Sequence, residues 1–192
     1  MSLVPAFEIG VWNAWIFMLA FAIGHALPPL LWTRISESLK KRTWPADIYL
    51  NKTEKIIGTL PWPIIGFLLI YSIFLPLSLG TAWFYIGLII FLLGLIVYVM
   101  SSKGILDIPP DKPFTKGLYR YSRHPIYLTM VLELIGVGVA SASGLFLLLV
   151  LIFFISLNIS VIAEERGCLE KYGDTYREYM NRTPRWMGFR NL

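Results

Sequence analysis

The chain has one cysteine in 192 residues, Cys168, so it can close no disulfide within itself and holds no paired-cysteine metal or redox motif. Its two histidines, His25 and His124, stand far apart and offer no metal-ligand spacing, and no metal is expected. Charged residues make up 15% of the sequence, where soluble domains carry about a quarter. No polar stretch is long enough to hide a second, soluble domain, so 1–192 reads as one domain. No Lys or Arg precedes the first apolar run, which therefore reads as a retained segment rather than a cleavable leader. Internal repeats of the transporter kind are also missing.

What the chain has instead is apolar residues, 56% of the total, gathered into five runs. They cover about 9–32, 61–79, 82–100, 125–140 and 144–163. A membrane-spanning helix needs roughly 20 apolar residues at 1.5 Å each. The fourth run is short, and with the fifth it reads as a helical hairpin turning at Ser141-Ala142-Ser143-Gly144. The expected fold is an all-α membrane bundle of five transmembrane helices with polar segments on one side. Gly87, Gly94, Gly136 and Gly138 suit close helix packing.

The 17 Lys and Arg residues support that count. Arg34, Lys40, Lys41, Arg42, Lys52 and Lys55 lie between runs one and two; Lys103, Lys112, Lys116, Arg120 and Arg123 between three and four. Arg166, Lys171, Arg177, Arg182, Arg185 and Arg190 follow the fifth. With five spans, all three basic segments share one side, and the three segments bare of cations share the other. The positive-inside bias then puts the N-terminus outside and the C-terminus in the cytoplasm of a multi-pass cell-membrane protein. The net charge of +5 is thereby accounted for by orientation, and no nucleic-acid partner is expected.

Two of the basic segments carry chemistry. One, from Ile108 to Tyr127, is rich in Pro, aromatic and basic residues and feeds Arg123-His124-Pro125 into the fourth run. Pro125 suits the first position of a helix, whose free N–H groups favour an anion. The other begins with Glu164-Glu165 at the exit of the fifth run. Glu165, Leu169, Tyr172, Tyr176 and Tyr179 are spaced four, three, four and three, which predicts one continuous helical face reaching about 164–181. An amphipathic helix lying on the membrane would show the same spacing. Two acids at a helix C-terminus, however, oppose both the helix dipole and the bilayer. Within the fourth run, Glu133 is an isolated acid, either facing an acceptor cavity or paired with Asn158. His25 reads as a packed, hydrogen-bonded histidine.

Arg123-His124-Pro125-x-Tyr127, then Glu164-Glu165 with Leu169, Tyr172-Gly173, Tyr176 and Tyr179, then Pro184-Arg185, resembles the isoprenylcysteine carboxyl methyltransferases and related phospholipid N-methyltransferases. The likeness covers roughly residues 103–186. It implies an S-adenosyl-L-methionine site roofed by the two segments. By that resemblance, His124, Tyr127 and the backbone of Gly117, Leu118 and Tyr119 line the cofactor pocket, while Glu164 and Glu165 take its cationic groups. Arg185 approaches the acceptor, with Tyr176 and Tyr179 in the wall. The residue types suit a ligand bearing a sulfonium, an ammonium and a carboxylate. The implied partner is a lipophilic or lipidated acceptor entering from the bilayer among membrane lipids. A carboxylate acceptor needs no base; for an amine or thiol, Glu165 or Tyr176 is the candidate to take the proton. Two alternatives are a sterol-type NADPH reductase, against which the short chain argues, and a non-catalytic transporter or scaffold. A transporter would show polar midplane residues in repeated halves.

Overall fold

This computed structural model describes residues 8–35, 51–103, 105 and 112–187, and seven α-helices run through those described residues. They are α1 (Trp15–Ile35), α2 (Lys52–Thr59), α3 (Pro61–Ile73), α4 (Ala82–Lys103), α5 (Pro125–Ala140), α6 (Gly144–Tyr172) and α7 (Asp174–Arg182), with a 3₁₀ turn at Gly117–Arg120. No strand occurs among the described residues. Lys40, Lys41, Arg42, Arg190 and the stretch 106–111, which includes the start of the Ile108–Tyr127 segment, lie outside them.

Among the described residues, three helical stretches are long and apolar enough to cross a membrane: Lys52–Ile73, Ala82–Lys103 and Gly144–Tyr172. Two shorter apolar helical stretches, Trp15–Pro28 and Pro125–Ala140, accompany them. The second stretch departs from expectation. It begins at Lys52, in what reads as loop, bends at Leu60–Pro61 and ends at Ile73 rather than Leu79. Asn51 starts it by accepting the Glu54 N–H at 2.9 Å, a capping bond that polar composition alone does not advertise.

The helix that holds Glu164 and Glu165 also departs from expectation. α6 does not end at the acids but continues to Tyr172, so the pair opposes no helix terminus. Gly173, at φ +54°, then breaks the chain direction, a conformation that costs a residue with a Cβ. Tyr176 and Tyr179 therefore belong to a separate helix, α7, and the expected single face across 164–181 is two faces.

Lipid tails are as apolar as leucine, so helices associate by close packing and hydrogen bonds. The tightest pair is α4 against antiparallel α5. A Cβ on Gly87 would lie 2.3 Å from the Ala140 nitrogen, and one on Gly136 would lie 2.7 Å from the Phe91 nitrogen. Gly94 faces the Glu133 side chain in the same seam. Along α4, Ile89, Leu93, Ile96 and Met100 stay exposed, as a lipid-facing stripe must.

Prolines inside these apolar helices free carbonyls, and side chains meet them. Pro29 brings no N–H to the His25 carbonyl, which accepts instead from the Tyr98 hydroxyl at 3.2 Å. Pro61 does the same to Ile57, whose carbonyl accepts from Ser160 at 2.9 Å. Each bond ties a proline-bearing helix to a neighbour. At the end away from the basic segments, Asn13 is buried and donates to the last carbonyl of α3, Ile73, at 2.7 Å. Ala14 N–H donates to Leu75 and Leu77 N–H to Trp12. At the opposite end, Arg166 on α6 pairs with buried Glu54 on α2.

Candidate active site

Pro125 opens α5 at its first position, with His124 as the residue before it, outside the helical conformation. Ser122 shapes the approach: its hydroxyl accepts the His124 N–H at 3.1 Å and donates to the Arg185 carbonyl at 3.1 Å. The Arg123 N–H donates to the Pro184 carbonyl at 3.0 Å. The loop before α5 and the tail after α7 thus run beside each other, and both hang over α6.

Glu165 is where they meet. It is 3% exposed. Its Oε1 lies 3.2 Å from His124 Nε2 and 3.1 Å from Arg123 Nε; its Oε2 accepts from Arg185 at 2.8 Å and 3.1 Å. The bond to Oε1 requires the Nε2–H form of the imidazole, an assignment from the network. Three cationic or protonatable groups from two segments surround one carboxylate. The Arg123 contact is an ion pair without hydrogen-bond alignment, and its Nε–H is a buried donor with no acceptor.

Glu164, next along the helix, is half-buried and differently placed. It accepts from the Tyr127 hydroxyl at 3.0 Å, and no described cation pairs with it. Tyr127 lies one turn into α5, its ring parallel to the His124 imidazole at 5.7 Å. The acidic pair therefore splits, one member held by cations and the other by a phenol.

Tyr176 and Tyr179 are both buried on the inner side of α7. Burial pushes the Tyr176 phenol far above its ordinary value, and the neighbouring Cys168, Glu165 and Glu164 push the same way, so it stays a neutral donor. Tyr179 is raised by burial as well, against the pull of Arg123. Its hydroxyl donates to the Tyr119 carbonyl at 2.7 Å, which fixes the Gly117–Arg120 turn under α7. Gly117 takes φ +61° at the start of that turn.

His124, Tyr127, Glu164, Glu165 and Arg185 thus converge, with Tyr176 beside the acids. Gly117, Leu118 and Tyr119 form the turn held by Tyr179. Glu133 and Asn158 are not a pair. Glu133 bonds His25 at 3.2 and 3.3 Å, and Asn158 accepts from Trp186 at 2.8 Å. Sequence reasoning missed Ser122 and Trp186 as parts of the site. A serine two residues before an unpaired N–H is a turn signal that could have revealed the first; nothing local marks the second.

The profile of the phospholipid methyltransferase family matches residues 64–175, more than half of the chain. This chain belongs to the phospholipid methyltransferase family. The matched part contains Arg123, His124, Tyr127, Glu164 and Glu165, whereas Tyr176, Arg185 and Trp186 lie beyond it. No curated protein matches the chain. Membership of the phospholipid methyltransferase family, together with the apolar helices, indicates a membrane methyltransferase, and members of this family generally use S-adenosylmethionine.

Proposed function

We propose that the chain transfers a methyl group from S-adenosylmethionine to a lipophilic acceptor. It would act as a five-span protein with the last two spans a hairpin, its N-terminus outside and its site at the cytoplasmic face. The observation that carries the reading is the meeting of Arg123, His124 and Arg185 with Glu165, beside a second carboxylate. Such a set offers partners to a ligand that bears both signs of charge. The unaligned Nε–H of Arg123 is a buried donor that fits an anionic group.

In this reading Arg123 and the α5 N-terminus hold the carboxylate of the cofactor, and Glu164 and Glu165 hold its cations. The turn at Gly117, Leu118 and Tyr119 forms the rim, and Tyr127 and His124 make an aromatic wall. When bound, the cofactor supplies a methyl group already activated on a sulfonium. The protein's share is then positioning and exclusion of water rather than acid catalysis.

Lateral access for the acceptor would run through an apolar seam between α3, α5 and α6, which must widen to admit a tail. Pro61, Trp62, Ile65, Met130, Phe153 and Leu157 line it, and Tyr127 stands at its polar end. An acceptor tail lying there would bring its head beside Glu164. A carboxylate acceptor meets Arg185. An amine acceptor loses its proton to Glu164, because Tyr176 is held neutral by burial and Glu165 is engaged by two arginines and His124.

Titration of the purified protein with S-adenosylhomocysteine tests the reading, followed by thermal unfolding. A saturable upward shift is expected, lost in Glu165→Gln and His124→Ala. A shift with NADPH and none with S-adenosylhomocysteine would replace the methyltransferase by a reductase.

A further inference from the structure

Asn158 stands within the apolar run of α6, where an unpaired amide is costly. It is not unpaired. Its Nδ2 donates to the Phe154 carbonyl at 2.9 Å, and its Oδ1 accepts from the Trp186 indole N–H at 2.8 Å. The orientation of the amide is forced, since a carbonyl needs a donor and an indole N–H needs an acceptor. The Trp186 ring also packs on Phe154, centroids 5.2 Å apart, and on His124 at 6.0 Å.

Asn158 and Glu165 are seven residues apart on one helix, so they share a stripe, separated by about 10 Å of rise. Consecutive tail residues reach these two points. Arg185 goes to Glu165 and Trp186 goes to Asn158, in opposite directions along α6. The tail around them, from Thr183, is neither helix nor strand, so no ladder of its own fixes its register. The backbone bonds to Arg123 and Ser122 hold it to the loop before α5; the Arg185 guanidinium and the Trp186 indole tie it to α6.

We propose that Asn158 and Trp186 are positioning residues, an anchor that sets the height at which Arg185 stands over Glu165. The anchor allows the Arg185 side chain to leave Glu165 for an acceptor while the tail backbone stays in place. The part concerning turnover rests on the methyltransferase reading; the anchor itself does not.

The test is a pair of double-mutant cycles. Asn158→Leu and Trp186→Phe are each combined with Arg185→Ala, and Trp186→Phe keeps an aromatic ring if Asn158→Leu folds poorly. Each single anchor variant is expected to lower kcat/KM for methyl transfer about tenfold, the scale of one buried hydrogen bond left half-made. In the Arg185→Ala background the same change should cost less than about twofold. Equal losses in both backgrounds, or no loss in either, would overturn the anchor. The same two cycles are also read as melting temperature without ligand, and there too the anchor and Arg185 variants should be non-additive. If no acceptor is methylated, the methyltransferase reading fails, and the thermal cycle still decides. Coupling upholds the anchor, and strict additivity removes it.

Discussion

Glu133 and Glu165 are both buried carboxylates, on helices that pack against each other, yet their surroundings differ in kind. Glu133 faces one imidazole, His25, whose ring lies between Phe21 at 4.4 Å and Tyr98 at 3.9 Å. Glu165 faces His124, Arg123 and Arg185 at once, with Glu164 adjacent. One-to-one pairing leaves nothing to offer a third party, and the His25–Glu133 pair reads as a joint between α1 and α5. A carboxylate with several partners, one of them misaligned, can exchange partners with a ligand. Burial alone therefore does not mark a site; surplus and mixed charge do.

Glu165→Gln and Glu133→Gln would break this contrast most directly. The first is expected to weaken S-adenosylhomocysteine binding on the order of 100-fold, because the ligand's ammonium loses a buried carboxylate partner. The second should stay within about twofold in the same calorimetric titration. Equal losses would mean that both acids serve the ligand. The next largest effect belongs to folding. Glu133→Ala should cost about 3 kcal/mol, read as a fall in melting temperature, since it strips the His25 partner and opens a cavity. Glu133→Gln should cost about 1 kcal/mol.

Gly94→Ala sharpens the comparison from the neighbouring helix. Its Cβ would fall 2.6 Å from Glu133 Cγ, for an expected loss of about 2 kcal/mol. Gly66 has nothing within 4 Å, and Gly66→Ala should not destabilise the protein. Between these two lies Tyr98→Phe, which orphans the His25 carbonyl at about 1 kcal/mol. Chemical denaturation in micelles orders these variants, and a Tyr98→Phe cost above that of Glu133→Ala would relocate the joint to the tyrosine.

Much of the helical layout is legible in the sequence because its signals are local. Pro125 at a first helical position and the serine turn after Ala140 bound α5 where composition puts it. Segregated cations mark one end of the bundle, and the two motif segments do come together at Glu165. Local signals also mislead. A four-three-four-three spacing is satisfied equally by one long helix or by two helices joined at Gly173, because spacing does not report the φ angle of the residue between. Lys52 and Lys55 look like loop, yet they begin a helical stretch that Asn51 caps. Partner choice is the least legible. His25 and Glu133 are 108 residues apart, and Asn158 finds Trp186 rather than Glu133, a choice made by helix rotation and tail path.

The length of α6 carries one more consequence. From Gly144 to Glu165 is about 31 Å of helical rise, close to the roughly 30 Å hydrocarbon thickness of a bilayer. In the proposed orientation the helix would work as a dipstick, holding the two carboxylates at the waterline where a lipid changes from chain to head. Longer-chained lipids would submerge that mark and shorter-chained ones would lift it clear, so the pairing of reactive head with carboxylate becomes a matter of bilayer thickness.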